Sequence, residues 1–324
     1  MFRTPVNTEP SPHKIKLDSA VLSTGSCFAQ VIGKRLMENK FPILANPFGT
    51  LYNPASIFRL LYDSMNTYLP QEETYLIRHG IHFNYKFHSD FSAENRKALE
   101  TQIEQALLST HTFLKKAEWI IITLGTAYVY ERLDNGHIVA NCHKTPSAHF
   151  NKRLLSPEEI QTCFEQIYLA MNAFNERARF IFTVSPVRHI RDTLVQNSVS
   201  KASLRLAIEQ IIQQHPDKTH YFPSYEIMMD DLRDYRFYKA DMIHPNEVAE
   251  DYIWDQWVNA YMDDEAIEFM RQWKKIQKAL EHRAFHPASE QHQRFILKTI
   301  EQLNHLHKKV DVSNELNALK KQLS

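Results

Sequence analysis

The chain has 324 residues, of which 43% are hydrophobic and 23% are charged, a balance typical of a globular protein with room for one large domain and an appendage. The 38 Lys and Arg residues equal the 38 Asp and Glu residues, so no basic excess is present to neutralise the phosphates of a nucleic acid. No stretch approaches the ~20 consecutive apolar residues of a membrane span, and the N-terminal residues lack the apolar segment of a secretion signal.

The cysteines indicate the compartment. Cys27, Cys142 and Cys163 are odd in number and widely spaced, which fits neither a disulfide framework nor a zinc site. We therefore expect a cytoplasmic protein with no metal, no cofactor and no nucleic-acid partner.

Strand and helix patterns alternate along most of the chain after a polar, proline-containing lead-in. The predicted strands cover residues 20–24, 119–123, 180–184 and 220–222, and residues 41–45 form a further short apolar segment. The predicted helices cover about 28–39, 54–65, 93–116, 156–177 and 199–214. Residues 75–91 alternate in polarity and predict an inserted β-hairpin, and Asp-Asn-Gly at 134–136 predicts a second hairpin turn. The alternation predicts a doubly wound α/β sandwich.

Long helices replace this alternation from about residue 246. Two apolar stripes at helical spacing, separated at Pro287, predict a helical hairpin that packs on the domain or on a second copy of the chain as a homo-oligomer. Residues 309–324 are expected to form a loosely held tail. The predicted organisation is a lead-in over 1–18, one domain over 19–260, and a helical extension over 261–324.

A serine follows the first predicted strand at the turn into a helix. The sequence Gly-Ser-Cys at 25–27 places the hydroxyl of Ser26 at the carboxyl ends of parallel strands, where α/β folds bind ligands. The helix N-terminus also favours a developing negative charge. Serine is a common helix cap as well, so the tripeptide alone leaves a structural role open. Cys27 is a rival nucleophile, because a Cys at a helix start can be acidified.

Asp241 and His244 could activate this serine. A serine hydroxyl is a weak nucleophile at neutral pH and needs a base, which an acid must orient. Three residues apart in a turn, the carboxylate can reach Nδ1 of the imidazole and leave Nε2 free for a hydroxyl. The same spacing occurs twice more in the chain, but only this pair follows the last predicted strand and precedes a helix.

Several blocks of sequence carry a resemblance to a known family. The first, residues 25–29, reads Gly-Ser-Cys-Phe-Ala. The others are residues 46–53, 124–127, 141–144, 185–189, 221–226, and the stretch from 234 to 245. By these blocks, which span about residues 20–260 and are highly specific as a set, the chain resembles the GSCFA domain family, a branch of the SGNH (GDSL-like) hydrolase superfamily.

The resemblance implies a three-layer α/β/α sandwich with a central parallel sheet, to which this chain adds the β-hairpin and the C-terminal helices. It also implies Ser26 as the nucleophile and Asp241 with His244 as its proton-handling pair. In SGNH enzymes a Gly of the second block and an Asn of the third help the nucleophile's amide to hold the oxyanion. Gly49 matches the second block, whereas Thr126 stands where that Asn is usual and would donate through its hydroxyl.

Four further residues are candidates for binding a substrate. His143 and Lys144 could position a carboxylate or phosphate, and Arg188 and His189 directly follow a predicted strand. For each of them a purely structural role stays open. The expected activity is hydrolysis of a small-molecule or carbohydrate ester through an acyl-serine. The alternatives are an O-acyltransferase that uses the same site, and a non-catalytic binding or scaffold protein that keeps the fold.

Overall fold

The computed structural model describes residues 3–282, 285–286 and 289–323. The strands, in chain order, are β1 (Val21–Gly25), β2 (Ile43–Ala45), β3 (Tyr75–Arg78), β4 (Ile81–Asn84), β5 (Ser92–Ala93), β6 (Trp119–Leu124), β7 (Tyr128–Arg132), β8 (Ile138–Val139), β9 (Phe150–Leu154), β10 (Arg179–Val184) and β11 (Thr219–Tyr221). The helices are α1 (Cys27–Glu38), α2 (Pro54–Asn66), α3 (Arg96–Leu114), α4 (Pro157–Phe174), α5 (Thr193–Gln214), the single turn α6 (Ser224–Glu226), α7 (Glu247–Tyr261), α8 (Asp264–Glu281), α9 (Glu290–Leu306) and α10 (Ser313–Lys320).

A parallel sheet of five strands, in the order β11-β10-β6-β1-β2, forms the centre of the protein. Gly25 at the end of β1 lies opposite Thr123 of β6, which in turn lies opposite Thr183 of β10. The chain leaves β1 toward one edge of the sheet and leaves β6 toward the other. This reversal opens a crevice beyond the carboxyl ends of β1 and β6, the place where open α/β sheets bind ligands.

Alternate side chains of the central strands enter two separate hydrophobic cores. Ile120 and Ile122 of β6 pack in a core formed with α2, α3, α4 and α5. Trp119 and Ile121 pack in the other core, with α1, α7, α8, α9 and α10. Because successive side chains of a strand point to opposite faces, helices cover both sides of the sheet. The predicted three-layer α/β/α fold is confirmed.

Two small antiparallel sheets are inserted into this framework. One contains β3, β4 and β5, so the predicted hairpin over residues 75–91 is present with a third strand added. The other has the order β8-β7-β9, and the turn predicted at 134–136 joins β7 to β8. Among the main helices, α5 begins at Thr193 rather than near residue 199.

The C-terminal helices pack on α1. The indole nitrogen of Trp273 in α8 donates to the carbonyl oxygen of Glu38 at 2.7 Å, and Lys40 forms an ion pair of 2.6 Å with Glu315 of α10. The predicted helical extension is therefore docked on its own domain. Pro287, predicted to separate its two helices, lies outside the described residues.

The prediction of a loosely held tail over 309–324 is wrong for residues 313–320. These residues form α10, which packs against α9, and its Leu316 and Leu319 are buried. A helix of this length is unstable alone and depends on tertiary packing, which is why the local sequence pattern did not reveal it. Within the described ranges, none of the helices combines the length and the apolar character needed to span a lipid bilayer.

Replacement of Trp273 by Ala should destabilise the protein by about 3–5 kcal/mol, because it removes a large buried side chain and an indole hydrogen bond. The matched control is Phe285→Ala, which removes a ring that is 99% exposed and should change stability by less than about 0.5 kcal/mol. Urea unfolding measures both values. Equal stability of the two variants would show that the C-terminal helices do not dock on α1.

Candidate functional site

Gly25 and Ser26 form the turn between β1 and α1. Gly25 has a φ of +134°, and a Cβ at this position would lie 2.1 Å from the carbonyl oxygen of Thr123. Only glycine fits a backbone conformation and an approach of this kind. Ser26 follows as the N-cap of α1 and is 1% exposed. The structure therefore places Ser26 at the carboxyl end of the sheet, as predicted.

The Ser26 hydroxyl keeps its proton available. Its Oγ accepts a hydrogen bond of 3.4 Å from the backbone N–H of Phe28, which is longer than a normal N–H···O bond. Within the described residues this hydroxyl has no other hydrogen bond. The side chain thus caps α1 weakly, and its proton has no acceptor.

The loop after the sheet holds Asp241 and His244 in a rigid arrangement. One carboxylate oxygen of Asp241 accepts the backbone N–H groups of Ile243 at 2.9 Å and of His244 at 3.0 Å, and the other lies 2.6 Å from Nδ1 of His244. The two backbone hydrogen bonds, followed by the imidazole, lower the pKa of Asp241 to about 2. The carboxylate therefore stays ionised above about pH 2 and keeps the proton on Nδ1, which makes Nε2 the basic atom.

Arg188 ties this loop to the carboxyl end of β10. Its guanidinium donates to the carbonyl oxygen of Met242 at 2.6 Å and lies 4.9 Å from the ring centroid of Tyr238. The loop is closed at its base, where the N–H of Asn246 donates to the carbonyl oxygen of Phe237 at 2.9 Å. Arg188, predicted to bind substrate, thus holds the loop that carries the imidazole.

The structure does not join the imidazole to the serine. Within the described part of the chain, Nε2 of His244 has no hydrogen-bond partner, and the Ser26 hydroxyl is not bonded to it. The side chain of His244 is 41% exposed, whereas Ser26 is almost completely buried. The acid and the base of the predicted triad are therefore assembled, and the contact from base to nucleophile is not.

Two backbone amides predicted to hold an oxyanion already have acceptors. The N–H of Ser26 donates to the carbonyl oxygen of Thr123 at 3.0 Å, and the N–H of Gly49 donates to that of Asn46 at 2.9 Å. An oxyanion would have to replace these bonds. Gly49 has a second role, because it has a φ of +75° and a Cβ there would lie 2.5 Å from the side chain of His88.

The third predicted oxyanion donor, Thr126, is also engaged. Its hydroxyl accepts from the N–H of Tyr128 at 3.1 Å and lies 3.0 Å from the hydroxyl of Ser200. Its own N–H donates to the carbonyl oxygen of Tyr52 at 3.1 Å. Thr126 is buried, so in this structure it organises the loop after β6.

His143 is engaged in contacts within the protein and is not available to bind a substrate. Its Nε2 lies 2.8 Å from the carbonyl oxygen of Asn84, and its ring stacks on Phe83 with centroids 4.9 Å apart. Burial lowers the pKa of His143, which keeps the imidazole neutral near pH 7. These contacts favour a structural role. The neighbouring Lys144 is exposed.

His189, in contrast, lies beside the residues of the sheet crevice. The rings of His189 and Tyr52 pack edge to face with centroids 5.9 Å apart. The backbone N–H of His189 donates to the side-chain oxygen of Asn197 at 2.8 Å. Tyr52 in turn covers Gly125, where a Cβ would lie 3.0 Å from the tyrosine ring. Burial, and then the adjacent Cys27, raise the pKa of Tyr52 to about 12. Cys27 therefore neighbours a neutral phenol.

A polar stripe on α5 supports the crevice and was missed in the sequence. Asn197, Ser200 and Lys201 are all buried. Each forms a hydrogen bond with a segment that follows the carboxyl end of β6 or β10. Ser200 accepts from the N–H of Ala127 at 2.8 Å, and Lys201 donates to the carbonyl oxygen of Ser185 at 2.8 Å. Burial lowers the pKa of Lys201 to about 7. The available signal was their helical spacing, which continues the apolar stripe at 204, 207, 208 and 211.

Family models match two parts of the chain. The model described as the GSCFA family matches residues 20–257, more than half of the chain. The chain belongs to the GSCFA family. A second model, described as the C-terminal domain of GSCFA domain proteins, matches residues 273–324. Ser26, Asp241 and His244 all lie within the GSCFA match, and α9 and α10 lie within the C-terminal match.

A comparison with curated proteins gave no match to this GSCFA chain. Within the described ranges, no group of three or more His, Cys, Asp or Glu side chains is arranged to hold a metal ion.

The buried Lys201 should make the stability of this GSCFA protein depend on pH. A lysine whose pKa is lowered in the folded state destabilises the protein fully below about pH 7, and this penalty disappears as pH rises toward the ordinary value of 10.5. The free energy of unfolding of the wild type, minus that of Lys201→Met, should therefore increase between pH 7 and 10, by at most about 1.4 kcal/mol per pH unit.

Urea unfolding over this range measures the difference. Lys97→Met, at an exposed position of α3, serves as the control and should show no such trend. If the difference in unfolding free energy between the wild type and Lys201→Met stays constant with pH, burial does not lower the pKa of Lys201 in the folded protein.

Proposed function

We propose that this GSCFA protein is a serine esterase of the SGNH hydrolase type, acting on a small-molecule or carbohydrate ester. The observation that supports this most strongly is the hydrogen bond of 2.6 Å between Asp241 and Nδ1 of His244, with Nε2 left without a hydrogen-bond partner among the described residues. The tether from Arg188 to the same loop and the position of Ser26 at the reversal point of the sheet add support.

The proposed reaction has two acyl-transfer steps. Nε2 of His244 takes the proton of the Ser26 hydroxyl while Oγ attacks the ester carbonyl carbon, and Asp241 stabilises the imidazolium that forms. The imidazolium then gives this proton to the departing alcohol, which leaves an acyl-serine. Water, deprotonated by the same imidazole, attacks the acyl carbon and releases the carboxylic acid, and Ser26 recovers its proton.

This chemistry requires the exposed loop to move toward Ser26. A general base must come within about 2.6–3.2 Å of the proton that it takes, and such contacts are often long before substrate binds. The buried serine is held by the sheet, whereas the loop over 237–246 is exposed at residues 239–242. We therefore assign the motion to the loop.

The same site also supports an O-acyltransferase. In that case the hydroxyl of a sugar or another alcohol replaces water in the second step, and the acyl-serine is shared by both reactions.

A non-catalytic binding protein is the second candidate function. It is favoured by the engaged amides of Ser26 and Gly49 and by the missing hydrogen bond between Ser26 and His244.

We also propose a cytoplasmic location, because the cysteines are free and free cysteines persist in reducing compartments. Association of copies through the C-terminal helices stays a prediction.

Labelling with a fluorophosphonate probe should separate the enzyme from the binding protein. The wild type should be labelled, and Ser26→Ala should not. Ser156→Ala is the matched control, because Ser156 also caps a helix and its loss costs a similar ~0.5–2 kcal/mol. Cys27→Ala should still be labelled. A folded wild type that remains unlabelled would support the binding protein.

Asp241→Asn should lower kcat for an aryl acetate by about 10³–10⁴-fold, because the amide no longer holds the imidazole in the required tautomer. KM should change little. Asp234→Asn, which removes an exposed carboxylate paired with Arg236 on the same segment, should retain nearly full activity. Steady-state hydrolysis monitored by absorbance gives both constants. Similar rates for the two variants would remove Asp241 from the mechanism.

A further inference from the structure

A cavity lies away from the Ser26 site, between α2, α4 and the sheet formed by β7, β8 and β9. Its volume is about 670 Å³, which lies within the range of small-molecule sites in proteins. Ser26, Asp241 and His244 are not among its lining residues. The loops before β3 and after β4 complete the walls.

Much of the wall is apolar. Phe58 of α2, Ile138 and Val139 of β8, and Ile167 of α4 contribute hydrocarbon or aromatic surface. Three of these side chains are fully or almost fully buried, and Ile138 is half-buried. Burial of a hydrocarbon chain against such a surface is favourable, at roughly 25 cal/mol per Å² of apolar area removed from water.

Two cations that line the cavity share one carboxylate. Arg59 and Lys86 both line the cavity. Each pairs with a different oxygen of Asp63, at 2.9 Å and 3.0 Å. The side chain of Asp63 is 2% exposed and lies behind them rather than in the wall. This carboxylate can neutralise only one of the two cations.

A third cation, Arg132, is neutralised separately. It donates to Asp134 and to the carbonyl oxygen of Glu73, and its guanidinium lies 4.9 Å from the ring centroid of Tyr85. The three cations and the two carboxylates leave one positive charge in excess. No acidic residue occurs among the described residues that line the cavity.

We propose that this cavity binds a monoanionic amphiphile, a carboxylate that carries a hydrocarbon chain. The chain would lie against the apolar wall formed by α2, β8 and α4. The carboxylate would meet Lys86 and Arg59, whose charge Asp63 compensates only in part. This inference does not depend on the proposed esterase activity, because the cavity shares no lining residue with the triad.

Cys163 provides a direct measurement of occupancy, because this residue lines the cavity. Alkylation by iodoacetamide is followed by mass spectrometry for all three cysteines in the same sample. Decanoate should slow the alkylation of Cys163 about tenfold at concentrations about ten times its Kd. Cys27 and Cys142 lie outside this cavity and should react at unchanged rates.

Three comparisons test the parts of the proposal. The neutral analogue 1-decanol should protect Cys163 much less than decanoate, because it lacks the charge. Lys86→Gln should weaken protection by decanoate, whereas Lys97→Gln, at an exposed position outside the cavity, should not. Ile138→Trp, which fills the cavity from β8, should abolish protection by both ligands, with thermal unfolding used to verify that each variant is folded.

Protection of Cys163 alone, dependent on the carboxylate and on Lys86, would support the proposal. Equal slowing at all three cysteines, or no slowing at Cys163 in the folded wild type, would overturn it. Equal protection by decanol would overturn the assignment of an anionic ligand. The measurement needs no turnover, so it can be repeated in Ser26→Ala, and its outcome is distinguishable from failure of the esterase proposal.

Discussion

The close approach of β1 to β6 at their carboxyl ends is the constraint on which the candidate site depends. A side chain at Gly25 would collide with the carbonyl oxygen of Thr123, and the same oxygen accepts the N–H of Ser26. Because this carbonyl is held in the centre of the sheet, the serine can occupy only one place, at the first turn of α1. The register of β1, β6 and β10 then brings the loops that follow these strands to one crevice.

The site has a buried half and an exposed half. Asn197, Ser200 and Lys201 bind the loops after β6 and β10 from below, so the floor of the crevice is braced by hydrogen bonds from a single helix. Asp241 and His244 lie on an exposed loop that Arg188 tethers at one carbonyl. In the proposed esterase reaction, a substrate that covers the imidazole would exclude water from it, which strengthens its interaction with the carboxylate.

The C-terminal segment belongs physically to the same unit. It packs on α1, the helix that Ser26 caps, and the indole N–H of Trp273 donates to the last carbonyl of that helix. The two inserted sheets extend the domain on the opposite side, where one of them forms a wall of the cavity beside α2 and α4. The additions to the α/β core thus contact both helical layers. The C-terminal helices support the helix that Ser26 caps, and one inserted sheet encloses a separate volume.

The sequence by itself determined those features that depend on neighbouring residues. Apolar runs defined strands of the central sheet, and the glycine before Ser26 marked a sharp turn. The spacing of Asp241 and His244, together with their position between the last strand and a helix, predicted their contact. Tertiary structure decided the features that join distant segments. Examples are the polar stripe of α5, the ordering of α10 on α9, and the engagement of the predicted oxyanion amides by Thr123 and Asn46. In each case the partner is remote in the chain or is selected by packing, which periodicity and spacing do not encode.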